Sequence, residues 1–150
     1  METENENQKN KISVGLIITK DELFENKIVP NEIKDEIAEA PHYLLIFISR
    51  EDVVKISCFP TETSDIKKIL IKLEEFSPNL VKGISNILKE LNLSKDILHT
   101  TGLCYQLQDC FYESYLIGDN IVHDRFENIK QSFMAIEKIN NVKIEDVPHL

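Results

Sequence analysis

From residue 67 onward, the chain alternates between the hydrophobic periods of strands and of helices. KKILIKLEE predicts a strand, DILHTTG and LCYQLQDCFYESYLI predict two or more strands, and VKIEDV predicts a final short one. Two further stretches, PNLVKGISNILKELN and RFENIKQSFMAIEKIN, carry apolar residues at helical spacing: Leu80, Ile84, Ile87, Leu88 and Leu91 in the first, and Phe126, Ile129, Phe133 and Ile136 in the second. The predicted order is β-α-β-β-α-β.

This order leaves few arrangements open. A strand, crossover helix and strand place the helix on one face of a sheet, with a right-handed crossover. Two such units interleave into a four-stranded antiparallel sheet with both helices on one side, which is the ferredoxin-like arrangement. We therefore predict an α+β protein in which residues 67–150 form a ferredoxin-like domain.

The preceding residues predict a smaller segment of strand, helix and hairpin. KISVGLIIT predicts a strand, and NEIKDEIAEA predicts a short amphipathic helix that Asn31 caps and Pro41 ends. HYLLIFISR and VVKISCF flank Glu51-Asp52 and predict a β-hairpin. We expect a disordered tail over residues 1–10, this segment over 11–60, and a polar linker over 61–66.

Composition and charge exclude several classes of protein. The chain of 150 residues has a net charge of −9, and residues 1–64 carry 13 acidic and 7 basic residues, which weighs against nucleic acid as a partner. No apolar run approaches the roughly 18 residues of a membrane span, and the N-terminus lacks the layout of a secretory signal, so we expect a cytoplasmic protein. The three cysteines match no disulfide framework and are expected to be small buried residues, while the histidines lack zinc-site spacing.

The stretch from KKILIKLEEFSPNLVKGI to ILHTTG resembles the ACT domain, a small-molecule-sensing module of ferredoxin-like topology. Pro78 matches the proline of the family's Asp-x-Pro-Gly corner, and Leu80, Ile84 and Leu88 match its helix. Asn79 stands in place of the usual glycine and Phe76 in place of the usual acid. The resemblance covers roughly residues 67–148 and implies amino-acid binding at this corner, at an interface between two domains.

The resemblance also implies roles for individual residues. Backbone N–H groups of Asn79, Leu80 and Val81 would hold the ligand carboxylate at the helix N-terminus. The carboxylate of Glu75 would hold the ligand ammonium. Ser77 belongs to the same corner. Thr100 and Thr101, on the second strand, point to opposite faces of that strand, so only one of them would face the ligand. The alternative is that Ser77-Pro78-Asn79 only caps a helix.

Residues 11–59 resemble the AbrB-type swapped-hairpin domain through KIVPNEIKDEI, in which Pro30 and Ile33 occupy the expected places. That family forms intertwined dimers, and many of its members bind DNA through basic residues of the first hairpin. KDELFENK carries two lysines against three acids in the corresponding stretch. The resemblance therefore implies dimerisation more than DNA binding.

These observations favour a non-catalytic regulatory protein that binds a small ligand, an amino acid, at an ACT-like dimer interface. Two alternatives stay open: an AbrB-type DNA-binding regulator, and a ligand-free module that assembles with itself. We expect no metal, no cofactor and no membrane partner, and we expect a homodimer or a higher oligomer.

Overall fold

A computed structural model describes residues 11–105 and 109–150, so the predicted tail at 1–10 lies outside the described residues. Its fold is of the α+β class, with a three-stranded and a four-stranded sheet, both antiparallel. The chain divides into two compact units. The first comprises Ser13–Ser64 and Val147–Leu150, and the second comprises Asp65–Asp146 together with Lys11 and Ile12. None of the helices in the described part of the chain is long and apolar enough to span a bilayer.

The first unit contains three strands and two short helices. In chain order these are β1 (Val14–Thr19), α1 (Lys20–Glu25), α2 (Asn31–Lys34), β2 (His42–Arg50) and β3 (Val53–Thr61). The sheet order is β1-β2-β3, and the predicted hairpin is confirmed, with Arg50 paired to Val53 across the Glu51-Asp52 turn. The last four residues also belong to this unit, although the sequence prediction placed them in the C-terminal domain. They do so because the N–H of Ile17 donates to the carbonyl of Pro148, and the carbonyl of Ile17 accepts from the N–H of Leu150.

The helices of this unit differ from the prediction. The helix expected over 31–40 covers only Asn31–Lys34, and Pro30 rather than Asn31 is its N-cap residue. The N–H of Glu36 bonds to the carbonyl of Ile33, a tighter turn that ends the helix early. A helix that was not predicted, α1, begins at Lys20, and its N-cap residue Thr19 forms a capping box with Glu22.

The second unit contains the remaining four strands and the two longer helices. In chain order these are β4 (Ile66–Leu73), α3 (Pro78–Glu90), β5 (Ile97–Cys104), β6 (Cys110–Ile117), α4 (Phe126–Met134) and β7 (Ile139–Asp146). The sheet order is β5-β6-β4-β7, so the first strand of the unit lies between the third and the fourth. The two edge strands of this sheet are β5 and β7.

One face of this sheet packs against both helices. The core consists of alternate residues of the strands and the apolar faces of α3 and α4; its fully buried members include Ile69, Ile71, Leu73, Ile84, Leu116, Ile129 and Phe133. Because strand side chains alternate, the intervening residues of β4 lie on the opposite face. Those residues are Lys68, Leu70 and Lys72.

The cysteines differ from the prediction as well. Cys104 and Cys110 form a disulfide, whereas the sequence analysis expected small unpaired residues. The register of β5 against β6 places the two directly opposite each other, with Cα atoms 4.0 Å apart. Among the described residues, Cys58 is the free cysteine, and it is exposed.

Candidate functional site at the strand-to-helix corner

The corner between β4 and α3 is a capped helix start. The backbone of Ser77 is extended, and its Oγ accepts a hydrogen bond from the N–H of Leu80 at 3.2 Å. The carbonyl of Ser77 accepts a second bond, from the N–H of Val81, at 3.1 Å. Pro78 follows at the first helical position, where its missing N–H costs nothing. The capping role foreseen for Ser77 is therefore present.

This cap uses two of the three backbone donors that were expected to hold a carboxylate. The N–H groups of Leu80 and Val81 both have acceptors in Ser77. The N–H of Asn79 is the remaining member of the predicted set, and Asn79 itself is exposed. A ligand carboxylate would therefore use the N–H of Asn79, or it would displace the Ser77 hydroxyl from Leu80.

The carboxylate of Glu75 is held by a lysine of the same unit. Lys138 Nζ lies 2.5 Å from Glu75 Oε1, and both side chains are about half exposed. The hydrogen bond from Lys138 to Glu75 raises the pKa of Lys138. Lys138 follows α4 with φ of 75°, and its carbonyl accepts the N–H of Glu74. An incoming ammonium group would therefore compete with Lys138 for Glu75.

Phe76 connects the corner to strand β5. A Cβ atom added at Gly102 would lie 2.1 Å from Cζ of the Phe76 ring, so the ring rests directly on the bare backbone of Gly102. The Phe76 side chain is nevertheless 42% exposed. Phe76, which stands in place of the usual acid of the ACT corner, was not predicted to make this contact with Gly102.

The two threonines of β5 lie on opposite faces of the sheet. Thr100 is paired with Ser114, with their hydroxyl oxygens 3.1 Å apart, and it shares a face with Gly102 and the Phe76 ring. The Thr101 hydroxyl lies 2.8 Å from Nε2 of His99 on the other face. Of the two, Thr100 is therefore the one on the corner side of the sheet.

A groove of about 540 Å³ begins at the corner and runs along α3. Phe76, Pro78 and Val81 provide its apolar wall, and Ser77 lies at one end. Lys82 and Lys89, both exposed, contribute two ammonium groups. The groove thus combines an apolar surface with positive charge, which suits a small molecule that has an apolar portion and a carboxylate.

The structure brings some of the predicted site residues together and separates others. Ser77 and Val81 line the groove, while Glu75 is engaged by Lys138 and Thr101 lies on the opposite sheet face. Lys82, Lys89 and Lys138 were not predicted as site residues. Lys82 and Lys89 lie on the predicted helix itself, whereas no local pattern signals that Lys138 lies near the corner. Within residues 11–105 and 109–150, no group of three or more His, Cys, Asp or Glu side chains is arranged to hold a metal ion.

Comparison with known proteins assigns no family to this chain. No protein-family model matches the sequence, and no curated protein sequence is similar to it.

Proposed function

We propose that this chain is a non-catalytic regulatory protein that binds a small ligand, an amino acid with an apolar side chain, at the groove beside the Ser77-Pro78 corner. The proposal includes an ACT-like, ferredoxin-like arrangement for the second unit. The sheet order β5-β6-β4-β7, with both helices against one face, supports that part of it.

The observation that carries the proposal is the position of the groove. It begins at residues that the sequence singled out, Ser77 and Val81, and it offers an apolar wall beside two lysines. The ligand carboxylate would bind Lys82 and the N–H of Asn79, and its side chain would lie against Phe76 and Val81. Its ammonium group would bind the carboxylate of Glu75 and displace Lys138.

A second copy of the chain would complete the site. The edge strand β5 carries Thr100 and Gly102 and lies beside the corner, and edge strands of antiparallel sheets readily pair with one another. Ligand binding at such an interface would favour the paired state over the separate one. The resulting shift in population would be the regulatory signal.

Isothermal titration calorimetry with the proteinogenic amino acids tests this function. We expect at least one apolar amino acid to bind, and we expect Lys82→Gln to weaken its binding about tenfold, as for a lost charge-assisted hydrogen bond. Lys55→Gln, which changes an exposed lysine of β3, is the matched control and should leave the affinity unchanged. Absence of binding for every amino acid would overturn the proposal.

A ligand-free assembly module is the second candidate. It is favoured by the internal partners that the corner already has: Lys138 for Glu75, and Ser77 for Leu80 and Val81. Sedimentation velocity distinguishes the two candidates. A stable dimer that no amino acid alters would favour assembly alone, whereas a dimer population that rises with ligand would favour regulation.

A further inference from the structure

The sheet face of the second unit that is opposite to the helices carries a second concave site. Lys72 and Leu70 of β4, Phe111 of β6, and Asn141 and Lys143 of β7 contribute to it, together with Lys11. The cavity has a volume of about 450 Å³, which falls within the usual range for small-molecule sites.

Lys11 is held at the rim of this cavity by the residues around it. The Tyr105 hydroxyl donates a hydrogen bond to the carbonyl of Lys11 at 2.8 Å. The next residue, Ile12, donates its N–H to Glu113 Oε2 at 3.0 Å and packs against Leu70 and Phe111. The backbone at Lys11 is therefore fixed to the sheet, and Lys11 is one of the lining residues.

The cavity concentrates positive charge in an acidic protein. Its lining contains Lys11, Lys72 and Lys143 against a single acid, Glu145, while the whole chain carries −9. Glu145 lies 2.8 Å from Lys143 and neutralises one of the three charges. The lining residues therefore carry a net charge of +2, although the chain as a whole is acidic.

Two buried apolar side chains, Leu70 and Phe111, underlie this largely polar cavity. Lys72 Nζ lies 6.0 Å from the centroid of the Phe111 ring, and Leu70 and Phe111 are both buried against Ile12. A neighbouring lysine of β4, Lys68, is directed to the fully buried Glu113, with 3.1 Å between their charged atoms. Lys68 therefore balances a buried carboxylate and does not line the cavity.

We propose that this cavity binds a small organic anion with at least two negative charges, carried as carboxylates or as a phosphate monoester. The ammonium groups of Lys11, Lys72 and Lys143 would hold the anionic groups, since each ammonium offers three donors and a compact charge. Because Phe111 and Leu70 are buried, contacts with the charged groups rather than with these two side chains would supply the binding energy. The net charge of −9 opposes phosphate polymers, so the occupant is a small molecule. This site is separate from the corner groove and does not depend on its proposed function.

Calorimetric titration of the full chain with citrate, phenyl phosphate and inorganic phosphate tests the proposal. Citrate or phenyl phosphate should bind, with an affinity that falls as sodium chloride is added, because exposed charges are screened. Citrate, whose three carboxylates can contact all three lysines, should bind more tightly than inorganic phosphate. Equal affinities for citrate and inorganic phosphate would refute the contact with several lysines, and no binding of either organic anion would refute the site.

Lysine variants locate the site. We expect Lys72→Gln and Lys143→Gln each to weaken the binding of the organic anion about tenfold, the usual scale for a charged hydrogen bond. Lys55→Gln, which changes an exposed lysine of β3, is the matched control and should leave this affinity unchanged. Lys143 is 62% exposed, so its replacement tests the site even if Lys72→Gln impairs folding.

Amide chemical shifts separate this site from the corner. Addition of citrate to the isotopically labelled full chain should shift the amide signals of Lys72, Phe111 and Asn141. It should leave those of Asn79, Leu80 and Val81 in place. Shifts confined to the corner, or identical affinities for the parent and both cavity variants, would overturn the proposal.

Discussion

Replacement of Gly102 by alanine tests the contact that joins the corner to strand β5. The new methyl group would occupy a point 2.1 Å from Cζ of Phe76, so the ring must leave its position. The backbone does not oppose the change, because no glycine in the described residues has a positive φ. The whole effect therefore depends on how much stability the buried part of the Phe76 ring contributes.

The expected magnitude follows from the exposure of that ring. Truncation of a fully buried phenylalanine costs about 3–5 kcal/mol, and Phe76 is 42% exposed, so Phe76→Ala should cost about 2 kcal/mol. Alanine is favoured over glycine within a strand by about 0.5 kcal/mol. Gly102→Ala should then cost about 1.5 kcal/mol in the parent but stabilise the Phe76→Ala variant by about 0.5 kcal/mol, since the ring is already lost. The coupling between the two positions is about 2 kcal/mol.

Equilibrium urea unfolding of the four proteins, followed by circular dichroism, measures this cycle. Independent sites add to within about 0.5 kcal/mol, so a smaller coupling than that would show that the ring does not rest on Gly102. A Gly102→Ala variant that is more stable than the parent would refute the reasoning equally. Amide spectra of each variant should confirm that the sheet is retained.

Three further perturbations have defined outcomes. Lys68→Met should lower the free energy of unfolding by about 3 kcal/mol, because it removes the ammonium group beside the buried Glu113. Adding Glu113→Leu to this variant should recover part of that loss in the same urea assay. Reduction of the Cys104–Cys110 disulfide should cost about 2 kcal/mol, the entropy of releasing a short loop, and should lower the thermal midpoint measured with and without dithiothreitol. Burial raises the pKa of Tyr112, so its phenol ionises at lower pH in the unfolded chain than in the folded one, and the free energy of unfolding should fall as pH rises above about 10. Urea unfolding at matched pH should show a shallower fall for Tyr112→Phe, and equal slopes would contradict this.

Much of the local structure was predictable because its signals lie within a few residues of one another. The apolar spacing of Leu80, Ile84 and Leu88 predicted α3, and Ser77 followed by Pro78 predicted its start. The hairpin at Glu51-Asp52 followed from two β-rich runs. The prediction failed for α2, which is shorter than expected. There, turn hydrogen bonds at Ile33 replace the regular helical hydrogen bonds, although the apolar residues have helical spacing.

The alternation of lysines with apolar residues in KKILIKL was also a local signal. It places Lys68, Leu70 and Lys72 on one face of β4, as strand geometry requires. What it does not reveal is the different use of the two lysines. Lys68 faces Glu113 of β6, whereas Lys72 lines a cavity with residues of β7.

The sequence by itself determined the hydrophobic periods of the strands and helices, the strand-to-helix corner and the excess of acidic residues. Each of these depends on neighbouring residues or on composition. Only the tertiary structure decided the pairs on which the two candidate sites depend: Glu75 with Lys138, Phe76 with Gly102, and Lys11 with Lys72 and Lys143. These partners are far apart in the chain. Their meeting depends on the order and register of the strands, which no local pattern specifies.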